Sequence, residues 1–360
     1  MSSLRCLSFI LVLSLRALAA PVEIVPPGFS GALQPQVAVG AKGEIHVVFG
    51  QKDGGIFHTI STDGARTFRA PVKIGALSKL ALGMHRGPRV AVTNDRVVVA
   101  AISHEDGEVV VWSSADGGVT WNLPLAVSTV PKSGREGLLA LAASGPRAAV
   151  AWLDLRGRGT ELWMALSADG GNTWQPDTRL YQSPDGSICQ CCAPSLAFGR
   201  QGELAAMWRN ALGGARDLFT ALSRDGGQTF APAEKLGTGT WKLNACPMDG
   251  GGITFPRGEP GKPFTIWRRD ATLNLARPGA PEEALGEGRD AAVAATPRGP
   301  VIAWQSKAGL VVRRPGETAR VLDAKGSAAS AAAAPDGRFT VIVWESGSKD
   351  APVLKAEILR

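Results

Sequence analysis

Ser61-Thr62-Asp63-Gly64-Ala65-Arg66-Thr67-Phe68 decides the fold, because the chain repeats this stretch three more times. The pattern S-x-D-G-x-x-T-[WF] returns from Ser114 to Trp121, from Ser167 to Trp174 and from Ser223 to Phe230. The first serines of successive copies are 53, 53 and 56 residues apart. Each copy contains the chemistry of its own turn: the carboxylate and hydroxyls accept backbone N–H groups, and Gly supplies a positive φ. The terminal aromatic can then tuck between strands. A repeat of this length holds four short strands, one blade of a β-propeller.

Working outward from the turns, each unit begins with a strand after a polar loop: Gln36–Val39, Arg89–Val92, Leu139–Ala142 and Ser195–Phe198. The same pattern continues without the turn motif at Gly252–Phe255, Ala291–Ala294 and Ala331–Ala334, which makes seven units, with six as the alternative. Second strands end in tryptophan at Trp152, Trp208, Trp267, Trp304 and Trp344. Five indoles at one repeat position predict packing between blades, with stacking against a carbohydrate as the competing role. The last unit runs out after three strands at Arg360, and Val22-Glu23-Ile24-Val25 can supply the missing outer strand. Pairing the chain's two ends in this way removes an exposed sheet edge. The expected fold class is therefore all-β, a propeller of four-stranded blades formed by residues 20–360 as one domain.

The four turns resemble the Asp boxes, or BNR repeats, of the sialidase superfamily over Ser61–Phe230. The resemblance implies a sialidase-like propeller in which Asp63, Asp116, Asp169 and Asp225 are structural. It departs from classical sialidases in blade number, since those have six. It also implies, as one functional alternative, an exo-α-sialidase-like glycoside hydrolase that clamps a substrate carboxylate with three arginines and uses a tyrosine activated by glutamate. Here the sequence diverges. Tyr181 is the only tyrosine and falls in an outer-strand region, and Gly31–Val39, where the family carries an F/Y-R-I-P segment, contains no arginine.

Strand direction sorts the loops into two faces. The repeat turns join third to fourth strands and rim the bottom, so the loops entering first strands and leaving second strands share the top, where a propeller's funnel opens. Arg86, Glu136, Asp154, Arg209 and Asp249 lie in those loops and are the candidate ligand-binding residues. The partners such a face suits are a small glycan, a peptide or another protein, with the chain itself expected to be a monomer. The same loops carry Cys189-x-Cys191-Cys192 and Cys246-Pro247-Met248, in consecutive units. Closely spaced thiolates suit Cu(I) or Zn(II), so Cys189, Cys191, Cys192, Cys246 and, as a further donor, His85 form a candidate soft-metal site. Two disulfides are the competing reading of the four cysteines.

Arg5 followed by the apolar run Leu7–Leu15 and Ala17-Leu18-Ala19 reads as a signal peptide over 1–19, which predicts a periplasmic or secreted protein and removes Cys6. No later stretch approaches the ~18 apolar residues of a membrane span. The formal charge of +7 includes Arg5 and Arg16, and the remaining basic residues are dispersed among acids, which argues against nucleic acid as a partner. The 44 glycines and 24 prolines punctuate short apolar runs at regular intervals, a turn-rich β pattern and not disorder.

Overall fold

The computed structural model describes residues 20–257, 262–348 and 351–360, so the expected leader over 1–19 lies outside the described residues. Short apolar runs bounded by glycine-rich turns pair as seven antiparallel four-stranded sheets, and their inner strands neighbour one another around a central axis. Blades 1 to 6 span 33–76, 89–126, 139–181, 195–235, 252–287 and 289–323. Blade 7 takes its three inner strands from 327–359 and its outer strand from Val22–Glu23. Val22 pairs with Ala356 and Glu23 with Lys355, and the Ile24 amide donates to the Leu354 carbonyl at 2.8 Å. The ring is thus closed by the two ends of the chain, as the strand count predicts.

Burial follows from this geometry. A second strand has a neighbouring blade on each face, so Ile45–Gly50 and Val97–Ile102 are buried at every position. That explains why these segments read as continuous apolar runs and not as an alternation. Trp152, Trp208, Trp267, Trp304 and Trp344 are all buried, each in an apolar cluster shared with the preceding blade. Removing so large a side chain from water supplies several kcal/mol of apolar burial at each blade seam.

The four repeat turns lie on the bottom face, each between a third and an outer strand. In the first, Ser61 Oγ donates to Asp63 Oδ1 at 2.8 Å, the Ala65 amide donates to Ser61 Oγ at 3.0 Å, and Thr67 gives its amide and hydroxyl to the Asp63 carboxylate. The other three copies repeat this network around Asp116, Asp169 and Asp225. Donation from Thr67 holds the Asp63 carboxyl down at about 2, well below the usual carboxylate range. Every oxygen of these aspartates that a ligand would need is already engaged within its own turn. No helix among the described residues is long and apolar enough to cross a membrane.

Candidate metal centre

The loop that enters blade 4 places Cys189, Cys191 and Cys192 in one knot. Its start is pinned by main-chain bonds, Ile188 N–H to the Thr160 carbonyl and Cys189 N–H to the Arg209 carbonyl, at 2.9 and 3.0 Å. The three sulfurs lie 3.5, 3.7 and 4.0 Å apart, far beyond the ~2.05 Å of an S–S bond, so no pair is joined. The point equidistant from all three lies about 2.2 Å from each, against ~2.3 Å for a metal–thiolate bond. A soft ion fits there with almost no movement of the sulfurs, just above their plane. Cys189 and Cys192 are buried and Cys191 is half-buried, which gives the knot one open side.

The surroundings keep the three sulfurs protonated in the absence of a cation. Crowding by Cys191 and burial push the Cys189 thiol up to about 11, and Cys189 with burial pushes Cys192 to about 12. Contact with Cys189 eases ionisation of Cys191, but Cys192 and burial prevail, and it also rises to about 12. Three thiolates cannot gather here without a positive charge among them, which a metal ion would supply. Donors that suit sulfur as thiolate are already in place: the Asp249 amide donates to Cys192 Sγ at 3.4 Å, and the Met248 amide reaches Cys191. Both come from the loop entering blade 5, as expected for neighbouring blades.

The structure divides the rest of the proposed metal set. Cys246 sits on that second loop, but its side chain is exposed and its sulfur is not among the three that gather. His85 is held elsewhere, its Nε2 2.7 Å from Asp290 Oδ1. Burial opposes protonation of that imidazole, but the Asp290 carboxylate outweighs it and raises the pKa. The His85 ring lies at the mouth of the central channel, a cavity of about 200 Å³ that His85, Arg89, Gln36, Ser195 and Ser330 help to line.

Among the candidate ligand residues, Arg209 and Asp249 come together. The wholly buried Arg209 guanidinium donates to the Asp249 carbonyl at 3.0 and 2.8 Å and to the Arg268 carbonyl at 3.0 Å. Asp249 is 1 % exposed; its Oδ2 accepts from the Asp290 amide at 3.2 Å, while Oδ1 has no partner among the described residues. Arg86 and Glu136 form a separate pair between blades 2 and 3, with Arg86 Nε 2.6 Å from the Glu136 carbonyl oxygen. Asp154 is committed to structure: Arg156, Ser133 and Trp152 occupy both of its oxygens. Composition had not singled out Trp241, whose ring lies 5.3 and 5.2 Å from the guanidinium carbons of Arg209 and Arg268. The available signal was that Trp241 has no place in the second-strand tryptophan series.

Tyr181 lies in the outer strand of blade 3. Its hydroxyl accepts from Asn210 Nδ2 at 2.9 Å and its ring packs 4.5 Å from that of Trp208. A cavity of about 590 Å³ lies on the bottom face beside the Asp225 turn and shares no residue with the thiol knot.

No protein-family model matches the chain, and no curated protein matches it. Solved structures do. An α-L-arabinofuranosidase from Fusarium graminearum is 14 % identical over 95 % of this chain and 98 % of its own, with a TM-score of 0.57. The NanB sialidase of Streptococcus pneumoniae is 9 % identical over 96 % of this chain and 70 % of its own, at 0.56. A leech intramolecular trans-sialidase is 13 % identical over 95 % of this chain and 70 % of its own, at 0.57. The chain has the fold of the sialidase-like β-propellers. At such identities the likeness speaks for the fold alone, since propellers of one architecture carry unrelated sites.

Proposed function

We propose that this chain is an exported soft-metal-binding propeller whose top face holds one Cu(I) ion between Cys189, Cys191 and Cys192. The observation that carries the proposal is the common centre about 2.2 Å from three unbonded sulfurs, close to the ~2.3 Å of a metal–thiolate bond. Three thiolates without an evident fourth ligand suit trigonal Cu(I) better than tetrahedral Zn(II). The Arg209 guanidinium favours ionisation of Cys192. The leader-like segment 1–19 supports export, which intact-mass analysis of the native protein tests by locating the mature N-terminus near Ala20.

Protein purified without oxygen should bind one Cu(I) per chain, and X-ray absorption should find three sulfurs at about 2.3 Å. Cys191→Ser should lose that ion while remaining folded. Four titratable thiols that take up neither copper nor zinc would reject the proposal, and so would a native disulfide within the knot. Zinc in preference to copper would keep the site and change its ion.

A further inference from the structure

We propose that Cys246 and Met248 form an entry pair that captures Cu(I) at the surface and passes it to the thiol knot, so that the ion is exchangeable cargo and not a structural rivet. This inference rests on the knot binding Cu(I). Four observations combine to support it.

The soft donors form a gradient of exposure. Cys189 and Cys192 are buried at 4 % and 1 % exposure, Cys191 is half-buried, Met248 is 43 % exposed and the Cys246 side chain is exposed. The loop bearing the outer donors touches the inner ones, because the Met248 and Asp249 amides address Cys191 and Cys192. That loop is held at both ends and open between them: Arg209 grips the Asp249 carbonyl, the Leu243 amide donates to the Gly214 carbonyl at 3.4 Å, and Asn244, Ala245 and Cys246 in between are exposed. Finally, the knot is already complete as a three-sulfur site, so a fourth sulfur beside it adds a path and not a required ligand. Met248 adopts φ 51, which a β-unbranched side chain tolerates at some cost.

The transfer is a ligand exchange with no change of oxidation state. A Cu(I)–sulfur bond to Cys246 forms as a bond to the outside carrier breaks, and the Cys246 proton passes to solvent. Bonds to Cys191, Cys189 and Cys192 then form while the Cys246 bond breaks. Those thiols release their protons to solvent and Cys246 regains one. The Met248 thioether, which carries no proton, holds the ion between the two stages. A soft, neutral sulfur binds Cu(I) without trapping it.

The test separates rate from affinity. The full chain, loaded with Cu(I) under anaerobic conditions, is mixed with a chromophoric Cu(I) chelator; stopped-flow absorbance gives the transfer rate and equilibrium competition the affinity. Cys246→Ser and Met248→Ala should each slow transfer by about tenfold or more, with affinity within about threefold of the parent. Unchanged rates in both variants would overturn the relay. So would a hundredfold loss of affinity in Cys246→Ser, which would make Cys246 a resident ligand. If the parent chain binds no Cu(I), the metal proposal itself fails, a result distinct from a parent that binds copper and exchanges it regardless of Cys246.

Discussion

Lowering the pH from 7 to 5 should destabilise the propeller through one pair of rings in blade 1. His46 Nδ1 lies 3.0 Å from His58 Nε2, and the two rings are 3 % and 1 % exposed. Burial holds His46 down at about 4; burial and the neighbouring His46 hold His58 at about 3. Both therefore stay neutral in the native state between pH 6.5 and about 4, where the unfolded chain protonates them. The unfolded state binds more protons in that window, so stability is fully present above pH 6.5 and falls as the pH falls. At about 1.4 kcal/mol per pH unit, each ring loses about 2 kcal/mol between pH 7 and 5, about 4 kcal/mol for the pair. His85 cannot produce this loss: its pKa is raised, so its contribution is complete below pH 6.5 and disappears as the pH rises above it. Glu345, raised by burial, works in the opposite sense and trims the total, so the test rests on a comparison. Urea unfolding at half-unit steps from pH 5 to 7 measures the slope for the parent and for the double variant His46→Gln/His58→Leu. The parent should lose stability toward pH 5 and the variant should be nearly flat. A flat parent, or an equal slope in both, would refute the reasoning.

Asp116→Ala should lower unfolding stability by about 1–3 kcal/mol by orphaning turn amides, with metal stoichiometry unchanged; loss of metal from the folded variant would place function on the bottom face. Removing residues 20–25 should expose the third strand of blade 7 as a free edge. A lower thermal midpoint and self-association by light scattering are expected, and a monomer of unchanged midpoint would show that the Val22–Glu23 strand does not close the ring.

What the sequence made legible was what is local. Ser61, Asp63, Gly64 and Thr67 complete their hydrogen bonds within a few residues, so the turn can be recognised without knowing what surrounds it. Repeats then supplied the blade count, and strand direction supplied the two faces. The convergence of Cys189, Cys191 and Cys192 was readable because three residues in a span of four cannot be far apart. The position of Cys246 was not, since arrival on the neighbouring loop fixes an amide near Cys192 but leaves open which way a side chain three residues earlier will turn. The same limit applied to His85, whose partner Asp290 is 205 positions away and belongs to a blade without a turn motif.

The difference between the two faces has a physical cause that bears on function. Each bottom turn satisfies its own carboxylate, so these aspartates are already engaged. On the top face the buried groups depend on other blades: Arg209 of blade 4 holds the loop before blade 5, and Asp249 on that loop accepts from Asp290 at the start of blade 6. Asp249 thus bridges the thiol knot and the loop that starts blade 6, its amide donating to Cys192 and its carboxylate accepting from the Asp290 amide. In the proposed metal-bound state an ionised Cys192 would be the stronger acceptor for the Asp249 amide. The bottom turns make their carboxylate hydrogen bonds within themselves.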